Sequence, residues 1–232
     1  MSTDAHGNSK FLQHHYDTPA QQFSAAKLGM WLFLAQELLF FSGLFVAYGV
    51  YRSWYPDAWV VGSHLLDYRM GTANTCVLLL SSFTAVMAVR SAQTGNQKAT
   101  GNFLLATIFL AGCFMVVKYF EYHHKFEVGY LPGQHFAPHG EGLVEIVAAA
   151  RETGVNGVPF HLRTFFGLYF VMTGIHGLHV LVGMFVMGWM WNRNRKGEFS
   201  KRYSTPVEMT ALYWHLVDII WIFLFPLLYL ID

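Results

Sequence analysis

Five stretches of this chain run on with almost no charge: Leu28–Val50, Met70–Val89, Gly101–Phe120, Thr164–Trp191 and Met209–Ile231. A helix rises about 1.5 Å per residue, so about 20 apolar residues cross the roughly 30 Å of hydrocarbon in a bilayer. Hydrocarbon offers no water to the backbone, so each span must satisfy its own N–H and C=O groups, which makes it a helix. The chain is therefore expected to be an all-α membrane protein, a five-transmembrane-helix bundle. A polar N-terminal segment, 1–26, precedes one domain, 27–232.

Composition agrees. Charged residues make up 12% of the chain, where a soluble domain carries about a quarter. The net charge of +1 gives no reason to expect nucleic acid as a partner. Cys76 and Cys113 both fall inside apolar runs, without C-x-x-C or zinc-type spacing. The first apolar run exceeds the about 7–15 residues of a signal h-region and is expected to remain as an anchor.

Lys and Arg in the connections set the orientation. With the N-terminus inside, nine basic residues are inside: Lys10, Lys27, Arg90, Lys98, Arg193, Arg195, Lys196, Lys201 and Arg202. Five are outside: Arg52, Arg69, Lys125, Arg151 and Arg163. The imbalance predicts a cytoplasmic N-terminus and a periplasmic C-terminus. Trp54, Trp59, Trp189, Trp191 and Tyr229 stand near span ends, where interfacial belts form.

The connection at 122–161 is long for a turn and rich in Gly and Pro. Within it, GEGLVEIVAAARETG puts Leu143, Val144, Ile146, Val147 and Ala150 on one helical face. It reads as a surface-lying helix or a docking element. Small-residue pairs at four-residue spacing, Ala25/Gly29, Gly43/Ala47 and Ser81/Ala85, are compatible with close helix packing.

Ionisable groups inside a span are costly and mark function or interhelical pairing. Glu37 lies roughly 15 Å into the first span. His176 and His179 on the fourth and His215 and Asp218 on the fifth reach similar depth, so these five groups are expected to share one slab. Glu208 stands seven residues before His215, near the inner end, and Lys118 and Glu121 are spaced to pair with each other. Three readings stay open for this set. It is an interhelical hydrogen-bond cluster worth about 0.6–2 kcal/mol per contact, a bis-histidine haem site, or a proton-handling group. In the first reading His176, His179 and His215 hydrogen-bond within the bundle, with Asp218 the nearest acceptor. Bulky Phe170, Trp214 and Trp221 crowd the space a haem needs. His123, His124, His135, His139 and His161, in the 122–161 connection, lack paired metal-ligand spacing. The sequence has no nucleophile motif, phosphate loop or dinucleotide fingerprint, which leaves an auxiliary membrane subunit.

The chain resembles subunit III of the haem–copper terminal oxidases. The carrying stretches, in order, are LGMWLFLAQELLFFSGLFVAY, NTCVLLLSS, EY at 121–122, TGIHGLHVLVG and VEMTALYWHLVDIIWIFLF, spread over about 27–231. The resemblance implies that Glu37 is the family's membrane-buried, carbodiimide-reactive carboxylate. Glu121, His176, His179, Glu208, His215 and Asp218 match its polar positions in the bundle. It also implies a five-helix bacterial member in an inner membrane, lacking the first two helices of mitochondrial members. Phospholipid between helices is implied, with no catalytic residue, metal or redox cofactor in this chain. Haem and copper belong to partner subunits, and the implied partners are subunits I and II, with other respiratory subunits reached through the 122–161 loop. The implied role is support of proton uptake, stability and oxygen access during reduction of dioxygen to water. Two alternatives remain: an accessory subunit of a nitric oxide reductase, and an independent transporter, which should show inverted repeats or broken helices.

Overall fold

The computed structural model describes residues 16–132, 135–155, 157–199 and 203–231. Seven helices follow in order: α1 Pro19–Trp54, α2 Pro56–His64, α3 Tyr68–Thr94, α4 Gln97–Glu127, α5 Glu141–Glu152, α6 Leu162–Arg195 and α7 Thr205–Tyr229. No strand forms among the described residues, only an isolated bridge between Tyr130 and Phe136. α1, α3, α4, α6 and α7 are long and apolar enough to cross a membrane.

The spans are longer than the apolar runs, because backbone bonding continues past the hydrocarbon until a cap or turn ends it. Thr18 accepts from the Gln21 amide at 3.2 Å and starts α1 well upstream of Leu28. Asp67 caps α3 by accepting from Arg69 and Met70, and Asn96 caps α4 by accepting from Ala99. Between them Gly95, at φ 82°, supplies the left-handed residue that turns α3 back into α4. α4 continues to Glu127, so His123, His124 and Lys125 stand on a helix and not in the connection. Lys201 and Arg202 lie outside the described residues, as do the first 15.

Four spans close a ring in which α3 packs on α4, α4 on α6, α6 on α7 and α7 on α3. Lipid tails are as apolar as leucine, so close packing and hydrogen bonds hold such a ring together. A Cβ on Gly183 would stand 2.7 Å from the Trp214 ring, so its absence sets how near α6 approaches α7. Of the small-residue pairs, Ser81 and Ala85 are buried, whereas a Cβ on Gly29 or Gly43 would meet nothing within 4 Å. α1 lies outside the ring against α7, α2 and α6, and much of its surface is bare leucine, valine and phenylalanine.

The short α2 has no counterpart in the pattern of apolar runs. It tucks against α6, and Trp59 is 0% exposed, edge-on to Phe165 at 5.7 Å and to Tyr48 at 5.9 Å. Trp59 is thus a core residue and not part of an interfacial belt, and Tyr229 is buried too. Trp54 and Trp189 are exposed.

α5 forms and packs on α2, burying part of the apolar face read from the sequence. Gly142, Ile146, Ala149 and Ala150 are buried, while Leu143, Val144 and Val147 remain 48%, 70% and 41% exposed. Glu141, Glu145 and Arg151 interrupt the apolar surface, and the helix turns Ile146 and Ala150 of its apolar face inward and leaves the rest outward. The choice falls to local contacts. Gly142 lies against Val128 and Tyr130, and the Tyr130 hydroxyl donates to the Gly142 carbonyl at 2.8 Å and to Glu145 at 2.9 Å. Burial, together with the adjacent Glu145 carboxylate, holds that hydroxyl well above the ordinary tyrosine range.

Candidate functional site

Glu37 on α1 meets His179 on α6, with Oε2 3.0 Å from Nε2. The other ring nitrogen, Nδ1, lies 2.8 Å from the Ile175 carbonyl one turn back. A carbonyl only accepts, so Nδ1 carries hydrogen and the bond to Glu37 needs a further proton, on the carboxyl or on Nε2. The pair thus holds one shared proton. Phe41, fully buried, stands edge-on to the imidazole at 5.3 Å. The Tyr213 hydroxyl donates to the His179 carbonyl at 3.0 Å and brings α7 into the same contact.

His176 and His179 share a helix but face different neighbours. Their spacing puts them about 60° apart around the helix axis, and their different neighbours, not the spacing, separate them. His176, 1% exposed, lies edge-on to Phe114 at 5.8 Å and against Trp221 at 5.2 Å, and neither of its nitrogens has a hydrogen-bond partner. His215 turns towards α3, its Nδ1 2.6 Å from Ser82 Oγ. Asp218 is buried and accepts no hydrogen bond. The expectation that Asp218 serves the histidines is therefore corrected: Glu37, a backbone carbonyl and Ser82 take those roles, and His176 has none.

At one end of α7, Glu208 accepts from Ser204 Oγ at 2.6 Å and from Gln93 Nε2 at 3.1 Å. Near the other end lies a buried charged pair. Lys118 Nζ donates to Glu121 at 2.9 Å and to the Tyr229 hydroxyl at 2.6 Å. Glu121 also accepts from the hydroxyls of Tyr229 and Tyr169, the latter at 2.8 Å. The ammonium sits 4.6 Å above the Trp221 ring. A carboxylate receiving three donors and an ammonium with a carboxylate, a phenol and an aromatic face form a satisfied pair in low dielectric. It ties α4 to α6 and α7, and the diagonal helices α4 and α7 meet here through long side chains.

The polar groups do not join into one hydrogen-bonded cluster. They separate into Glu37–His179, His215–Ser82, the Lys118–Glu121 group and Glu208, with His176 and Asp218 apart. Ser82, Tyr169 and Tyr229 were not legible as site residues, because a single hydroxyl in an apolar run carries no pattern. The histidines near α5 make separate contacts: His124 with Glu145 at 3.3 Å, His123 with Glu127 at 3.4 Å, and His161 stacked on Tyr55 at 3.7 Å. Among the described residues no three His, Cys, Asp or Glu side chains gather as a metal site.

The family model for cytochrome c oxidase subunit III matches residues 3–129 and 157–232. The chain belongs to the cytochrome c oxidase subunit III family. The cytochrome c oxidase subunit 3 of Thermostichus vulcanus is 28% identical over 99% of this chain and 97% of its own length. That of Synechocystis sp. is 32% identical over 98% of this chain and 80% of its own. A heme-copper oxidase subunit I+III of Aeropyrum pernix is 26% identical over 94% of this chain, which corresponds to 24% of that longer protein. Membership makes the chain a multi-pass membrane component of an oxidoreductase complex. The stretch from 130 to 156, which holds α5, lies outside the family match.

Proposed function

We propose that this chain is the non-redox subunit III of a haem–copper respiratory oxidase, packed on subunit I in a complex that also holds subunit II. It supports proton uptake, durability and oxygen access while dioxygen is reduced to water and protons are pumped. The single observation that carries the reading is the subunit III family match on both sides of the 130–156 stretch. The Aeropyrum pernix relative, a heme-copper oxidase subunit I+III, supports direct packing on subunit I. Haem and copper reside in the partner chains, and the electron donor, cytochrome c or quinol, is chosen there.

The inner (plasma) membrane of a bacterium is the compartment we infer, with the N-terminus and the 193–202 connection in the cytoplasm and α5 and the C-terminus in the periplasm. The excess of Lys and Arg supports that orientation. The bare apolar surface of α1 supports coverage by subunit I and phospholipid. A further lipid groove of about 530 Å3 is supported between α4 and α6, where Met115, Tyr119, Phe126, Leu178 and Leu181 present apolar walls.

The deciding experiment is mass spectrometry of the intact complex purified through a tag on this chain, with optical spectra of the same sample. Subunits I and II with oxidase-type haem and copper signals are expected. Recovery of the chain alone, or with a transport protein, would overturn the assignment.

A further inference from the structure

At the Glu208 end of the bundle a cavity of about 380 Å3 opens between α1, α3 and α7, and Lys27, Gln93, Glu208 and His215 are among its lining residues. His215 is half-buried, with its ring at this cavity and its Nδ1 2.6 Å from Ser82 Oγ. Ser82 also stands beside Asp218, one helical turn beyond His215. Asp218 is 3% exposed and neither carboxyl oxygen is hydrogen-bonded. The neighbouring donors on this seam are committed elsewhere. The Trp214 N–H goes to Ser81 at 2.7 Å and the Trp221 N–H to Thr75 at 3.1 Å. An imidazole at a polar mouth, a hydroxyl behind it and an enclosed carboxyl behind that form an ordered series.

We propose that His215 and Ser82 form a proton conduit from this cavity to Asp218, which acts as an enclosed, reversible proton store. His215 Nε2 takes a proton from water in the cavity, whose mouth Glu208 also lines. Nδ1 gives its own proton to Ser82 Oγ, and the Ser82 hydrogen passes to the Asp218 carboxylate. One proton moves inward, the imidazole changes tautomer, Ser82 is unchanged in composition and no electron is transferred. Discharge runs the same bonds backwards and restores the tautomer, so the store needs no second exit. This deepens the proton-uptake role and rests on it for its purpose. A carboxyl that fills and empties from the cavity would buffer proton supply beside subunit I.

The test is infrared spectroscopy of the intact complex in lipid, without turnover, as water is replaced by deuterium oxide over a series of pH values. A carboxylic acid band that disappears in Asp218→Asn is expected, shifting within seconds of exchange in the unaltered complex. Ser82→Ala and His215→Phe should slow that shift at least about tenfold, as loss of a proton-relay group does. Ser82→Thr, which keeps the hydroxyl, should leave it fast and so controls for a packing defect. No band lost in Asp218→Asn at any pH would overturn the store, and equal exchange rates in all variants would overturn the conduit. Failure of the oxidase assignment would show instead in the subunits recovered, which this exchange does not read.

Discussion

His179 presents Nε2 to Glu37 at 3.0 Å while Nδ1 is held by the Ile175 carbonyl at 2.8 Å, and so fixes which partner Glu37 can have. Because a proton must lie between Nε2 and the acid, a neutral donor in place of the carboxyl preserves the bond. Glu37→Gln should therefore leave the thermal retention of this subunit in the purified complex nearly unchanged. Glu37→Ala should lower its stability by about 0.6–2 kcal/mol, read as earlier release of the subunit on heating in detergent. Equal losses in both variants would show that charge, not the hydrogen bond, holds α1.

Glu37 and Glu121 should differ in reactivity. The Glu37 carboxyl is on the peripheral helix α1, whereas Glu121 lies inside the ring and is engaged by Lys118, Tyr169 and Tyr229. A hydrophobic carbodiimide is expected to modify Glu37 and spare Glu121. Peptide mass mapping of the treated complex checks this, and an adduct on Glu121 alone would reverse the assignment.

Lys118 and Glu121 should be strongly non-additive. Removing one member strands the other charge in low dielectric and costs about 3–5 kcal/mol. Lys118→Met and Glu121→Gln are each expected to cut the yield of assembled complex sharply. The double variant should recover much of the loss, since no charge is then stranded. A double-mutant cycle on thermal stability measures the coupling, and simple addition of the two losses would mean that the pair is not a unit.

The exposed face of α5 should be dispensable for the bundle but not for a contact with a partner. Its exposed residues Leu143, Val144 and Val147 make no part of its buried face on α2. Changing all three to serine should leave the yield and the oxidase spectrum unchanged. If the helix docks other respiratory subunits, the same change should release one from the complex, as seen by native mass spectrometry. An unaltered subunit set would remove that role from α5.

Loss of the whole chain should affect durability before chemistry. The polar groups described here order helices around one another and hold no redox centre in the proposed reading. Initial oxygen uptake and haem spectra should be largely preserved in complex stripped of this chain, with activity falling over many turnovers. Immediate loss with an altered spectrum would place this chain at the catalytic centre.

The sequence alone determined the five spans, because a charge-free run of that length has no stable home but the bilayer, and hydrocarbon leaves helix as its backbone solution. The Lys118–Glu121 pairing was also legible, since both groups sit on one helix at a spacing that geometry fixes. What lay between helices was not. His215 and Asp218 have the same spacing as Lys118 and Glu121, yet His215 turns to Ser82 on α3 and Asp218 is enclosed without a partner. Which α-helical neighbour stands opposite a side chain depends on the rotation and depth of each span in the ring, and lipid-like apolar residues record neither. For the same reason Trp59 read as interfacial until α2 folded back on α6, and α5 showed its buried face only through the close contact of Gly142 with Tyr130. Hydrophobic pattern specifies which residues leave water. Only tertiary packing decides which of them meet.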